Sequence, residues 1–420
     1  MAVIGKERMY MSKEKKLTVV QINALGKTRS TGRTTWEMHE YFEKNGIKSY
    51  IATADGRDCP EGYAVSSMPF MHLDTVMSIL TGLECYHSTL HTQKFLNYLD
   101  KIKPDVVHLR VLHNSFINLK MLLKYLAENN IATVVTLHDF WFMTGKCCYY
   151  TELDCNRWQT GCYDCPAMAT DARRRLFDRT PKMWRDKKAW FEKIEKLAVI
   201  GNSQWTTNEA RSSFLQNAKI VDCVYNWIDF EEFYPRTENI VRKELGLENK
   251  KIILGVSTFW EENSTKGFSS YLELAKSMPE NYHILLVGTL KSDVELPNNV
   301  TVLPATNDKE RLAQYYSEAD VYLNLSERET FGKVSAEAVS CGTPIIALNN
   351  TANPEIVPEG AGEVIDSADA QTILSALDRL FAKEKSEYVD KCIEHTRKNF
   401  DKQKNIEKYI EIYNKLLIEE

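Results

Sequence analysis

The sequence has no run of eighteen or more consecutive apolar residues, which leaves no candidate for a membrane-spanning helix. Its first residues, Met1 to Lys16, carry charge throughout and lack an apolar core, so they do not read as a secretory leader. The expected placement is cytoplasmic. In a reducing compartment the ten cysteines read as free thiols or metal ligands before disulfides. An excess of one charge is also missing: 53 basic against 58 acidic side chains leave a net charge of −5, which carries no nucleic-acid signature. Gly26 and Gly32 do not form a G-x-G-x-x-G fingerprint, and no acid ends the second strand, so a dinucleotide site is poorly supported. Internal repeats and low-complexity tracts are absent as well.

What is present is an alternation of short β-branched runs with amphipathic segments. Leu17 to Asn23, Lys48 to Ala54, Asp105 to Leu109, Ala132 to Leu137, Leu197 to Gly201 and Ile220 to Tyr225 read as strands. A polar loop from Ala24 to Thr35 and a helix from Trp36 to Lys44 join the first two. After a turn-rich, aromatic stretch beginning at Asn226, the pattern restarts at Lys251. The expected organisation is an N-terminal Rossmann-like domain, 1–225, a linker, 226–250, and a second such domain, 251–400. A last helix lies within 401–420. Ligands of such sheets sit at the carboxyl ends of the strands, so paired halves share a cleft.

One stretch in the second half concentrates chemistry. Ser326 to Pro344 follows a strand and runs through a glycine loop into a helix, Lys333 to Ser340, placing Glu329 in the loop and Glu337 in the helix. Thr330 and Gly332 stand where a helix N-terminus presents free N–H groups to an anion. Carboxylates beside an anion site suit a ligand with both phosphates and hydroxyls, such as a nucleotide sugar. Spacing alone is equally that of solvated surface glutamates.

A second concentration is the loop 144–166. Cys162 and Cys165 form a C-x-x-C followed by Pro166, the knuckle that gives two adjacent vertices of a tetrahedron, and Cys155 with either Cys147 or Cys148 would complete four sulfurs. Structural zinc is the expectation; free thiols or a redox pair are the alternatives. A third is 173–196, with ten basic and four acidic residues interleaved with Phe177, Met183, Trp184, Trp190 and Phe191. That pattern suits either an anionic membrane surface or a surface helix whose aromatics pack inward.

Over nearly its whole length the chain resembles a retaining glycosyltransferase of family 4, with the GT-B fold of two facing Rossmann-like domains. The motif Glu329-x7-Glu337 carries the resemblance most specifically. It implies that Glu337 holds the donor ribose, that Glu329 lies beside the sugar, and that Thr330, Phe331 and Gly332 line sugar and phosphates. Lys266-Gly267 matches the family's Lys-Gly pair, which implies that Lys266 offsets diphosphate charge. The arginine usual a few residues earlier is missing, and Ser257 or Thr258 stands in its region. Gly32, with Arg33, resembles the glycine loop over the donor. His138 takes the place of the family's histidine at the sugar, binding rather than acting as a base, and His108 and His113 would shape the acceptor side.

The Cys-rich pattern resembles transferases of the colanic-acid type and favours Cys147 over Cys148 beside Cys155, Cys162 and Cys165. The segment Asn226-Trp227-Ile228-Asp229 resembles the family's hinge linker, and the last helix is expected to cross back to the first domain. The function implied is transfer from a nucleotide-diphosphate sugar to a glycan or polyprenyl-linked acceptor in surface polysaccharide synthesis. No catalytic metal and no nucleic-acid partner are expected, and the protein would sit peripherally on the inner face of the plasma membrane. Nucleotide-sugar epimerase or hydrolase activity, or an inactive scaffold, are the alternative readings.

Overall fold

Two parallel sheets carry the structure. The computed structural model describes residues 16–170, 176–262, 264–291 and 293–418; the charged N-terminal stretch up to residue 15 and the arginines at 173–175 lie outside them. The first sheet has strands β1 (Thr18–Ile22), β2 (Lys48–Thr53), β3 (Tyr63–Ala64), β4 (Val106–Leu109), β5 (Ala132–Leu137), β6 (Leu197–Gly201) and β7 (Ile220–Cys223), in the order β3-β2-β1-β4-β5-β6-β7. The second has β8 (Lys251–Trp260), β9 (Tyr282–Leu290), β10 (Val300–Leu303), β11 (Val321–Asn324), β12 (Ile345–Leu348) and β13 (Gly362–Ile365), in the order β10-β9-β8-β11-β12-β13. Pairing is parallel throughout both sheets. This is the doubly wound α/β fold that the alternation predicts. Strand order reverses beside β1 and beside β8, so crevices open at the carboxyl ends of those strands.

The strands owe their position to composition. β5, Ala-Thr-Val-Val-Thr-Leu, is buried along its whole length, as a β-branched run covered on both faces by helices must be. The last helix, Lys402–Leu417, presents Ile406, Tyr409, Ile412, Tyr413 and Leu416 to the first sheet, where they share a core with Val19, Val106, Val134 and Ile200. That stripe at i, i+3, i+6, i+7 and i+10 is a single helical face. Two crossings therefore join the halves side by side: the Ile228 N–H donates to the Phe400 carbonyl at 2.9 Å, and Lys402 pairs with Asp229.

Several boundaries differ from the sequence reading. The first helix is Arg29–Lys44, not Trp36 to Lys44: serine, threonine and glycine at its start have low helix propensity, yet Thr34 and Thr35 fold their hydroxyls back onto the Thr31 carbonyl. β8 runs to Trp260 across a bulge between Val256 and Phe259. The helices Met68–Thr81, Thr89–Ile102, Thr180–Phe191 and Gln204–Arg211 add layers the strand pattern did not mark. In Thr180–Phe191 the residues Met183, Trp184 and Phe191 are buried and Trp190 is half-buried, while Phe177 before the helix is exposed.

Candidate active site

A cavity of about 580 Å3 opens between the two sheets. The start of the helix after β1 and the loops after β5 and β6 line one side, through Ser30, Thr31, His138 and Asn202; the end of β8 and the loops after β8 and β11 line the other, through Ser257, Lys266, Glu329, Thr330 and Gly332. Four helices begin at this cavity or within two residues of a lining residue: Arg29–Lys44, Gln204–Arg211, Phe268–Ser277 and Lys333–Ser340. The N-termini of Arg29–Lys44, Phe268–Ser277 and Lys333–Ser340 favour an anion there, whereas the first N–H groups of Gln204–Arg211 are taken by Glu355.

The glycines explain how the second-sheet loops close together. Gly267 has φ +76, and a Cβ there would fall 2.5 Å from Leu325 Cβ. Only glycine lets this turn lie on the end of β11, and that contact brings Lys266 to Glu329. Lys266 Nζ is 2.5 Å from Glu329 Oε1 and 3.2 Å from Ser326 Oγ. Gly332, at φ +85, caps the helix Lys333–Ser340 in the left-handed region. A buried amide network that sequence reasoning missed pins this loop. Asn353 donates to the Ser326 carbonyl at 2.8 Å, and Asn324 donates to Asn353 and to Ser335, each at 3.0 Å.

Glu337 does not line the cavity. It lies buried behind the loop, where its carboxylate accepts from Tyr316 at 3.2 Å. Burial pushes its pKa up, against the opposing pull of Lys333 and of Arg33 from the first sheet's side. Arg33, one turn into the first helix, thus reaches Glu337 electrostatically across the cleft. Gly32 is buried within that helix rather than standing in a loop, and a Cβ there would meet Lys27 backbone at 3.2 Å. Its smallness lets the polar loop pack on the helix, and Ser30 and Thr31 are the residues that face the cavity.

His138 ends β5 as the strand-end rule predicts, and its Nε2 is buried without a hydrogen-bond partner among the described residues. Burial, reinforced by the positive charge of Arg110, pushes its pKa down to about 3, so the ring is neutral near pH 7. Its carbonyl accepts from Thr330 Oγ1 at 3.1 Å, and Thr330 in turn accepts from Asn202 at 3.3 Å. A further contact between the halves is made by Glu355, whose two oxygens accept from the backbone N–H groups of Gln204 and Trp205, each at 2.7 Å. Asn202, Tyr149 and Glu355 were not singled out in the sequence; only the strand-end position of Asn202 carried any signal.

Of the histidines expected on the acceptor side, His108 is interior, bonded at 2.7 Å to both Tyr413 and Thr136. His113 lies 2.9 Å from Asp139. Burial alone would lower its pKa, but hydrogen bonds to Asp139 and Cys148 outweigh that and hold it at about 11. Donor atoms of His113, Asp139 and Cys148 lie within 4.8 Å of one another. His113 is hydrogen-bonded to Asp139 and so braces it next to His138. Among the residues proposed to stand in for the missing arginine, the Ser257 hydroxyl is taken up by the Phe259 carbonyl at 2.9 Å, while exposed Thr258 also lines the cavity.

Cys147, Cys155, Cys162 and Cys165 line one small cavity of about 20 Å3, bordered by Tyr150, Trp158 and Pro166. A hydrogen bond from Cys147 lowers the pKa of Cys165 and raises that of its partner. The Gly145 N–H donates to Cys162 Sγ at 3.1 Å, and the Ala167 N–H to Cys165. Four thiols are the donor type of a closed zinc site, but their sulfurs are spread more widely than the His113–Asp139–Cys148 group, whose donor atoms lie within 4.8 Å of one another. Cys148, although adjacent to Cys147, belongs to the His113 cluster instead.

Comparison with known proteins agrees with this geometry. A family model described as Glycosyltransferase Family 4 matches residues 31–232, and one described as Glycosyl transferases group 1 matches residues 237–399. The protein assigned as colanic acid biosynthesis glycosyl transferase WcaC of Escherichia coli K12 is 22 % identical over 420 residues, covering 95 % of this chain and 100 % of that one. The N-acetyl-alpha-D-glucosaminyl L-malate synthase of Bacillus anthracis is 26 % identical over 239 residues, 53 % of this chain and 61 % of that one. Among solved structures, sucrose-phosphate synthase from Thermosynechococcus elongatus superposes with a TM-score of 0.65 at 16 % identity, over 96 % of this chain and 99 % of that one. Anabaena HepE in complex with UDP and glucose superposes with 0.62 at 15 % identity, over 95 % and 100 %. Two facing Rossmann-like sheets, the cavity between them and family models over both halves place the chain among the family 4 and group 1 glycosyltransferases of GT-B architecture.

Proposed function

We propose that the enzyme is a retaining transferase that moves a sugar from a nucleotide-diphosphate donor to a glycan or polyprenyl-linked acceptor of a bacterial surface polysaccharide. The observation that carries this reading is the cavity where helix N-termini, Lys266, Glu329 and His138 meet. The diphosphate would lie at the helix N-termini beside Lys266, with Thr330, Phe331 and Gly332 along it. Glu337, buried outside the cavity lining, would hold the ribose on a local opening of its cover, and Glu329 and His138 would hold sugar hydroxyls. A relative assigned to colanic acid synthesis and a structural neighbour solved with UDP and glucose support the donor and pathway class.

As the bond from the sugar to the diphosphate breaks, negative charge grows on the leaving phosphate. Lys266 and the helix N-termini offset it without rearrangement. Attack by an acceptor hydroxyl from the leaving-group face gives retention, and a phosphate oxygen takes that hydroxyl's proton. His138, neutral and unpartnered at Nε2, orients the sugar. Zinc held by Cys147, Cys155, Cys162 and Cys165 would fix the loop that follows β5, away from the chemistry. An acceptor on a polyprenyl lipid implies work at the inner face of the plasma membrane.

Thermal-shift screening over nucleotide-diphosphate sugars, followed by product analysis with and without acceptor, tests the reading. A stabilising donor and an acceptor-dependent glycoside are expected. Donor turnover to an epimer, or to free sugar at an unchanged rate when acceptor is added, would replace transfer with epimerase or hydrolase activity. No shift with any nucleotide sugar would defeat it.

A further inference from the structure

The helix Met68–Thr81 is amphipathic in the wrong direction for a soluble domain. Phe70, Leu73, Val76, Met77 and Leu80 are between 37 and 56 % exposed, while Ser78 is buried. Positions 70, 73, 77 and 80 form one stripe along the helix. The helix contains no lysine, arginine or glutamate, and its one aspartate, Asp74, accepts from Ser88. Its solvent face is therefore mainly apolar, with exposed His72 and half-exposed Asp74 as its polar side chains.

The apolar surface continues beyond the helix. Leu176, 66 % exposed, donates its N–H to the Ile79 carbonyl at 3.2 Å, and Phe177, 53 % exposed, follows it. At the other end the Phe70 ring lies 4.4 Å from that of His91, beside Leu90, which is 75 % exposed. Eight of the fourteen large hydrophobics exposed among the described residues belong to this one patch, so it is a feature and not scatter.

Its border is basic. Arg179 packs against Gly82 at the end of the helix, with its guanidinium 5.7 Å from the Phe177 ring. Lys182 and Lys94 are exposed on the flanking helices. Acids stand nearby as well: Asp178 accepts from Thr180 and from the Cys165 N–H, and Asp186 accepts from Tyr86 and pairs with Lys182, so Arg179 and Lys94 carry the cationic edge. In the sequence, Arg173 to Arg175 lead into Leu176. An apolar stripe edged by Arg179 and Lys94 complements the boundary between acyl chains and anionic headgroups.

We propose that the outward face of the helix Met68–Thr81, with Leu176 and Phe177, seats this protein on the anionic surface of a lipid bilayer. The proposal deepens the lipid-linked acceptor reading, but its test needs neither donor nor acceptor. The purified full chain is sedimented with vesicles of phosphatidylglycerol and phosphatidylcholine, and with vesicles of phosphatidylcholine alone. Wild type is expected to bind the anionic vesicles, more weakly in high salt and more weakly still without the anionic lipid. L73S/L80S should reduce binding by roughly tenfold or more while melting temperature and nucleotide-sugar affinity stay unchanged. R179Q should reduce binding to anionic vesicles only.

Absence of wild-type binding, or equal binding by L73S/L80S, overturns the proposal. So does a wild-type dimer that L73S/L80S converts to monomer without any vesicle binding, which would make the face a protein interface. Transfer to a short soluble acceptor that persists while vesicle binding fails would reject the docking face and leave the transferase reading standing.

Discussion

Thr330 donates its hydroxyl hydrogen to the main-chain carbonyl of His138 across the cleft, at 3.1 Å. One residue stands in the donor loop after β11 and the other at the end of β5, so this bond sets the spacing between the two faces of the cavity. Thr330→Val keeps the shape and removes the bond. One neutral hydrogen bond is worth about 1 kcal/mol, so kcat/KM should fall roughly fivefold, with donor affinity reduced less than turnover. A variant with wild-type kcat would show that the contact plays no part in positioning.

Lys266→Met removes a cationic side chain in direct contact with Glu329. If Lys266 stabilises charge on the leaving diphosphate, kcat should drop on the order of a hundredfold or more. Glu329→Gln leaves the lysine in place and should lower turnover without an equal loss of nucleotide affinity. Steady-state kinetics on both variants, with nucleoside-diphosphate inhibition constants, separates the two roles. Equal losses of nucleotide affinity in both variants would argue against that division.

Glu337 lies buried with its pKa raised chiefly by burial. A carboxyl whose folded pKa exceeds its unfolded value costs stability once pH rises above the ordinary glutamate range, and the cost is complete above the folded value. Glu337→Gln should therefore melt at the same or higher temperature than wild type at neutral pH, with the difference vanishing in acid. Donor binding should nonetheless weaken by about 1.5–3 kcal/mol, since a charge-assisted bond to the ribose is lost. Calorimetric titration with the donor decides it, and unchanged affinity would remove Glu337 from the ribose.

For His138 the sign is opposite. Its pKa lies near 3 in the folded protein against an ordinary 6.5, so the unfolded chain takes up the proton first. The stability it contributes is fully present above about pH 6.5 and is lost as pH falls toward 3. His138→Gln should flatten the acid side of the stability curve, read by urea denaturation between about pH 4.5 and 7. Curves that stay parallel would show that burial does not hold this ring neutral.

The four-cysteine loop should carry about one zinc per chain in metal analysis of purified protein. Cys162→Ser should lower that content and the melting temperature together, as a chelator should for wild type. Less than about half a zinc per chain would leave the four thiols as a packed cluster without metal.

Strands were the most legible part of the sequence, because a buried parallel strand is a short β-branched run with few ways to be anything else. β5 and β6 have the expected bounds, and β1 and β2 differ by a residue at their ends. The first helix was read seven residues short, since its opening Ser-Thr-Gly-Arg looks like a loop by propensity. Met68–Thr81 escaped notice because an outward-facing apolar stripe gives no sign of which side is the core. Within the site, Glu329 and Lys266 were separately visible as motif members. Their pairing depends on Gly267 packing on Leu325, a contact between residues far apart in sequence. Asn353 and Glu355 were invisible because their partners, Ser326 and the Gln204 N–H, come from other loops.

The paired crossings at Ile228–Asp229 and Phe400–Lys402 have a consequence for how the molecule can be taken apart. The last helix fills the core of the first sheet although it is made last, so cutting the chain after β7 would strip Val19, Val106, Val134 and Ile200 of their cover. An isolated N-terminal fragment would expose that seam to water, whereas the same fragment mixed with the separately made C-terminal piece has a ready partner. The two halves form a lap joint in which the last helix of the second closes the core of the first, so neither can be removed without opening that core to water.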